Sequence, residues 1–266
     1  RGKTPINLPV QQLIGDRTKD FTALQTGEWD VVIDTCGYRP HEIHALYDAL
    51  AGRIKKYVFI STVSAYSNSI PYNADESAEL APTEKVLEGN PISMEIDGHT
   101  YGPLKVLCEE AVVLHYPDAL IIRPTYVIGA DDYTLRFPKW VEKFRDNNTV
   151  QCPNPPDAPM QYIDSRDLAE LTLLAIEQNI SGPLNATGVA PGFTWDQFLT
   201  QARDAVNPKC RIEWVDANPD DDYPLWTGDE HISMLAVDNS RAIKIGLQPR
   251  PLGDSAKATL EWCNRK

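Results

Sequence analysis

Tyr101 and Lys105 stand four residues apart in "YGPLK", and Thr62 closes the β-forming run "KYVFIST". Residues four apart on a helix share a face about one turn apart, so the ammonium can sit near the phenol and favour the phenolate. That makes a tyrosine usable as acid and base near neutral pH. The carboxyl ends of parallel strands are where ligands bind, so a Thr62 hydroxyl there could hold a substrate oxygen. Gly102 and Pro103 are tolerable because they fall in the first helical turn, where backbone N–H groups have no intrahelical partner. Read singly, YxxxK describes a surface pair, and a threonine at a strand end says little. The chemistry lies in the conjunction: a hydroxyl residue closing a buried strand, Tyr66 four residues on, YxxxK opening the next helix, then a strand carrying "RPTYVIG".

These groups need a scaffold of alternating strands and helices. "VQQLIGD" (10–16), "WDVVIDT" (29–35), "KYVFIST" (56–62) and "ALIIRPTYVIG" (119–129) are short runs rich in Val, Ile and aromatics, several without polar alternation, as in strands buried on both faces. Between them, Ile43, Leu46, Tyr47 and Leu50 mark an amphipathic helix ended by Gly52, and Leu104, Leu107, Cys108 and Ala111 mark another. Strand, helix, strand at this spacing predicts parallel pairing with right-handed crossovers, hence a doubly wound α/β sheet. After residue 130, "TLRFPKWVEKFRDN", "SRDLAELTLLAIEQN" and "TWDQFLTQARDAV" read as helices. Asp164 is the expected N-cap of the second, and Thr194 with Gln197 stands in capping-box register for the third. Short strands at "GPLNATG" and "RIEWVD" alternate with these helices, and "DANPDDDYP" reads as an exposed loop.

Composition narrows the function classes. Asp and Glu number 38 against 25 Lys and Arg, and the net charge of -13 repels polyphosphate backbones, which argues against a nucleic-acid partner. The five cysteines are odd in number and widely spaced, with no CxxC pair, so neither a disulfide framework nor a metal site is expected. No apolar run reaches the length of a membrane span, and "RGKTPINLP" lacks the apolar core of a secretory signal. A cytoplasmic protein, monomer or homodimer, acting on a small molecule is the expectation.

The chain resembles the extended and atypical short-chain dehydrogenases/reductases, the NAD-dependent epimerase/dehydratase family, over nearly its whole length. The resemblance implies a Rossmann-type fold, with a dinucleotide-binding domain over residues 1–150. Residues 151–266 would be mainly a smaller substrate lobe, with some return of chain to the core. It places the family's catalytic Ser/Thr, Tyr and Lys on Thr62, Tyr101 and Lys105: the tyrosine exchanges a proton with substrate, the lysine holds the nicotinamide ribose and lowers the tyrosine pKa, and the threonine orients the substrate oxygen. "RP" falls on Arg123 and Pro124, and Pro124, Thr125, Tyr126 and Val127 border the nicotinamide. "GDR" suggests Asp16 and Arg17 on the adenine side, "DTCG" suggests cofactor contacts at Thr35, Cys36 and Gly37, and Ile60 joins them. Tyr66, Tyr133 and Arg136 are the candidates to meet substrate.

The front of the chain departs from this pattern. Nothing before "VQQLIGD" supplies the family's first strand, Gly-rich turn and second strand, the turn whose backbone approaches the pyrophosphate. The expectation is an upstream segment of roughly 30 to 35 residues, the size of the missing part of a βαβ unit. A vacant strand position beside "VVIDT" would follow. "RGKT" then reads as the turn after the second strand, where Arg1 would meet the 2′-phosphate of NADP, tilting the cofactor from NAD toward NADP. Val63 and Ser64 follow Thr62 where a 4,6-dehydratase would carry Asp-Glu, which argues against dehydration. An NAD(P)-dependent reductase, dehydrogenase or epimerase, possible substrates including a sugar or nucleotide sugar, is the reading. The alternative is a non-catalytic member serving as a dinucleotide-sensing regulator or RNA-binding protein. Retention of Thr62, Tyr101 and Lys105 together counts against it. The acidic stretch between Thr62 and Tyr101 is expected to fold over the site mouth.

Overall fold

The computed structural model describes residues 8–50, 52–218, 221–226 and 232–265. Four parallel strands form the main sheet in the order β1 (Trp29–Asp34), β2 (Ile54–Ile60), β3 (Leu120–Pro124) and, returning late in the chain, β7 (Gly182–Ala186). Side chains alternate across it as the two-residue strand period requires. Tyr57, Phe59 and Ile121 pack with Ile43, Leu46 and Leu50 of α1 (Pro40–Leu50) and with Cys108, Ala111 and Val112 of α3 (Tyr101–His115). Val58, Leu120, Ile122 and Leu184 point the other way, onto Leu171 and Ala175 of α5 (Ser165–Glu177) and Ala242 and Ile245 of α7 (Ser240–Ile245). Helices therefore cover both faces, and the sheet is doubly wound as expected.

A second body is built on β5 (Thr149–Pro153) paired in parallel with β8 (Arg211–Val215), and on α4 (Arg136–Asp146), α6 (Trp195–Val206) and α8 (Leu252–Cys263). Phe137, Trp140, Phe144, Trp195, Phe198 and Leu252 form its core. The capping box at Thr194 and Gln197 and the Asp164 cap on the Arg166 N–H both form. Between the two bodies lies a short parallel pair, β4 (Tyr126–Ile128) with β6 (Tyr162–Asp164).

Three expectations need correcting or placing. The run 10–16 is not a strand. Leu13 and Ile14 are exposed at 44% and 75%, and the segment ends in a turn bridged between Asp16 and Asp20. Apolar β-formers make a strand only where a neighbour accepts their ladder and covers a face, and the described residues provide neither at this run. The run 119–129 is two strands: β3 ends at Pro124, which has no N–H to give to a ladder, and the chain then leaves for β6. β1 has β2 on one side and, among the described residues, no strand on the other, and its Ile33 is 43% exposed.

Candidate active site

The carboxyl ends of β1, β2 and β3 open into one cleft of about 1170 Å³, lined by Thr35, by Ile60 to Ser64 and by Pro124 to Val127. Tyr101, Lys105 and Arg136 share this lining, as do Met234 and Leu235 from the far end of the chain. The acidic stretch, with its short helix α2 (Glu84–Glu88), contributes Ala81, Pro82, Glu84, Lys85, Val86 and Met94, so it does border the mouth, while Asp75, Glu76 and Glu79 are not part of the lining.

Past the end of β2 the chain turns sharply. Thr62 caps a 3-10 turn over Val63–Ala65: its Oγ accepts the Ser64 N–H at 3.1 Å, and its hydroxyl lies 3.2 Å from the Ser64 hydroxyl. The start of α3 seats against this turn. A Cβ built on Gly102 would stand 2.1 Å from the Ser64 carbonyl oxygen, so the helix can come this close only where no side chain intervenes. Gly102 is therefore more than tolerated in a first turn: it permits the approach that brings Tyr101 beside Thr62.

From Tyr101 the polar residues Lys105 and Glu109 follow at four-residue intervals, one buried stripe on the sheet side of α3. The Lys105 ammonium donates to the carbonyls of Ile60 at 2.8 Å and Gly37 at 2.9 Å and lies 4.0 Å from the centre of the Phe59 ring. Glu109 accepts the Ser61 hydroxyl at 2.5 Å and the Arg123 guanidinium through two bonds of 3.0 and 2.6 Å. Arg123 also lies over the Tyr66 ring, 4.7 Å away, and Tyr66 donates its hydroxyl to Asn185 at 2.7 Å. The "RP" arginine thus works behind the cleft wall, tying β3 to α3.

Burial sets the protonation of the central pair. The Tyr101 phenol is pushed up to about 12, chiefly by desolvation and by the neighbouring Tyr38, with the Thr62 hydroxyl and the Arg136 charge acting the other way. Desolvation brings Lys105 down to about 8. Lys105 is not among the principal influences on the phenol; its ammonium is hydrogen-bonded to the Ile60 and Gly37 carbonyls. At neutral pH the tyrosine is a protonated donor.

The remaining candidates divide. Pro124, Thr125, Tyr126, Val127, Ile60 and Thr35 lie in the cleft wall. The Thr125 hydroxyl is buried without a hydrogen-bond partner. Gly37 is buried against Phe59 and Ile43 and gives its carbonyl to Lys105. Arg17 is committed to the turn after β1, forked onto the buried Asp34 at 2.6 and 3.0 Å and reaching the Cys36 sulfur at 3.1 Å. Its guanidinium holds Asp34 below the usual carboxylate range against the opposing effect of burial. Asp16 closes the 16–20 turn by accepting from Thr18. Tyr66 lines the cleft with its hydroxyl spent on Asn185, and Tyr133 is 80% exposed and outside the lining. Arg1 lies outside the described residues. Sequence reasoning missed Tyr38, whose ring centre is 6.4 Å from that of Tyr101, and it missed Met234 and Leu235, which only tertiary folding brings here. Among the described residues no cluster of His, Cys, Asp and Glu could hold a metal, and no helix is long and apolar enough to cross a membrane.

No family model matches the chain, and neither does any curated protein. Solved structures do. A UDP-N-acetylglucosamine 4-epimerase from Methanobrevibacter ruminantium, in complex with UDP-N-acetylmuramic acid, superposes with a TM-score of 0.69 at 16% identity, over 94% of this chain and 81% of that one. RMD from Pseudomonas aeruginosa, complexed with NADPH, gives 0.62 at 16%, over 96% and 89%. WbmH from Bordetella bronchiseptica, in complex with NAD+, gives 0.61 at 15%, over 88% and 75%. At such identities the likeness is one of architecture: the chain shares the parallel-stranded, Rossmann-like α/β fold of these neighbours.

Proposed function

We propose that the protein is a nicotinamide-dependent reductase, dehydrogenase or epimerase that exchanges a proton with a carbonyl or hydroxyl substrate through Tyr101. The observation carrying this reading is the meeting of Thr62, Tyr101 and Lys105 in one cleft at the strand ends. Structural neighbours in complex with NADPH and with NAD+ support the cofactor class. The residues present fit such a group. An ammonium has three N–H donors, and Lys105 uses two on carbonyls, keeping a third for a ribose hydroxyl. The unpartnered Thr125 hydroxyl and the bordering Pro124, Tyr126 and Val127 would face the nicotinamide.

A bound nicotinamide would supply or accept the hydride. The chain's own part is proton transfer and positioning. Tyr101, protonated at neutral pH, gives its phenolic proton to a carbonyl oxygen or, in the opposite direction, recovers it from a hydroxyl. Thr62 is fixed by its Ser64 N–H bond and holds that oxygen at the phenol. Val63 is buried and Ser64 carries no carboxylate, so the acid and base of a dehydration are not provided after Thr62.

The test is titration of the protein with NADPH and NADH, read by tryptophan quenching, alongside Tyr101→Phe. Binding of one dinucleotide, retained in Tyr101→Phe while turnover is lost, is the expected result. Failure of both dinucleotides to bind, or full turnover by Tyr101→Phe, overturns the proposal.

A further inference from the structure

The ionisable lining of the cleft reverses the sign of the chain. With 38 Asp and Glu in 266 residues, the one carboxylate among the described lining residues is Glu84, against Lys85, Lys105 and Arg136. Lys105 is occupied by carbonyls and Lys85 is exposed at the mouth. Arg136 is half-buried and belongs to α4 of the smaller body.

Its surroundings leave its charge unpaired. The Nε donates to the Thr134 hydroxyl at 3.1 Å, and the guanidinium lies 5.6 Å from the centre of the Tyr126 ring, yet no carboxylate among the described residues forms an ion pair with it. Asp132, the nearest acid in sequence, spends its oxygens on the Thr134 N–H and hydroxyl and on the backbone N–H groups of Arg136 and Phe137. Arg17, Arg123 and Arg250 are each tied to a buried carboxylate, and Arg53 and Arg241, which also form no ion pair among the described residues, are held by backbone carbonyls; the guanidinium of Arg136 has neither. A guanidinium that lines the cleft without a counter-ion leaves its fork of N–H donors open to an anionic ligand. Its charge is also felt at the Tyr101 phenol.

We propose that Arg136 is an anion subsite: the carbonyl or hydroxyl compound handled at Tyr101 carries a carboxylate or phosphate group that pairs with this guanidinium. The inference rests on the reading of Tyr101 as the reacting residue, and it deepens that reading by giving its substrate a charge.

The test is equilibrium binding, which needs no turnover. Two probe pairs are titrated calorimetrically into wild type, Arg136→Gln and Arg136→Lys: 4-formylbenzoate with its methyl ester, and glyceraldehyde 3-phosphate with glyceraldehyde. NADPH is titrated separately. A charge-assisted pair of this kind corresponds to roughly tenfold or more in affinity. Wild type is expected to bind one anion at least about tenfold more tightly than its neutral counterpart, the pair concerned identifying carboxylate or phosphate. Arg136→Gln should erase the preference, Arg136→Lys should keep part of it, and NADPH affinity should be unchanged in both. The proposal is overturned if wild type prefers neither anion or binds no probe, or if the preference survives Arg136→Gln. It is equally overturned if Arg136→Gln weakens NADPH and not the anion, which would give the guanidinium to the dinucleotide. Failure of the oxidoreductase reading would show separately, as absence of dinucleotide binding to wild type.

Discussion

Tyr66, buried, and Tyr101, half-buried, are both phenols on the wall of one cleft, and desolvation raises both above the ordinary tyrosine range. They differ in what their oxygens touch. Tyr66 gives its proton to the Asn185 carbonyl oxygen and lies under Arg123, so its hydroxyl is already spent. Tyr101 stands beside a Thr62 hydroxyl that can turn to a ligand, at the head of a helix anchored elsewhere along its length. Burial alone therefore does not mark a reactive phenol. On the proposed function, what marks it is an oxygen that faces the cleft beside the Thr62 hydroxyl.

The strongest way to break this contrast is Tyr101→Phe. Loss of one general acid is expected to lower kcat by about 10²–10⁴-fold, with thermal stability unchanged within about 0.5 kcal/mol. Tyr66→Phe should do the reverse, and equal losses of turnover in the two variants would erase the distinction. Second in size is Glu109→Leu, which strands the Arg123 guanidinium and should cost about 3–5 kcal/mol in denaturant unfolding. Gly102→Ala forces α3 away from the Ser64 carbonyl, an overpacking of about 1–3 kcal/mol. Because the shift is at Tyr101 itself, kcat should fall more than the stability loss suggests. Tyr66→Phe leaves the buried Asn185 oxygen without that donor and should cost about 1–2 kcal/mol, with modest change in kcat.

The smallest effect per step is pH-dependent. Lys105 has a folded pKa of about 8, below its unfolded value of 10.5, so between these values the unfolded chain binds more protons and stability rises with pH. The slope is at most about 1.4 kcal/mol per pH unit. The buried thiols of Cys108 and Cys152, pushed up to about 12 by desolvation, act in the opposite direction above pH 9. Comparing wild type with Lys105→Met across pH 8 to 10.5 isolates the lysine, and identical slopes would show that its ammonium is not desolvated.

Much of this site was legible because its signals are local. A Tyr and a Lys four apart and a threonine closing an apolar run each follow from a period, and the parallel-sheet rule brings them to one end. Glu109 and Asp34 were not legible. Each looks like any surface acid until its partner, Arg123 or Arg17, arrives from another element. The run 10–16 misled for the complementary reason: its residues suit a strand, but strand formation depends on a neighbour that local sequence does not contain. Tyr133 misled similarly, since proximity in sequence to Arg136 says nothing about which face of a loop it takes.

The stripe on α3 also works as a ruler. Its three polar side chains are spaced by the helical rise, about 6 Å for every four residues: Lys105 is fastened to the end of β2 and Glu109 to Arg123 of β3, while Tyr101 faces the cleft. A slip of one residue would turn all three away by about 100° at once, so the spacing is either whole or lost. Around it the rim is made of segments far apart in the chain, 81–86, 94–100 and 234–235, none of which fixes that spacing. Such a division separates two jobs: on the proposed function, changes at the rim alter which molecule is held without moving Tyr101, Lys105 or Glu109.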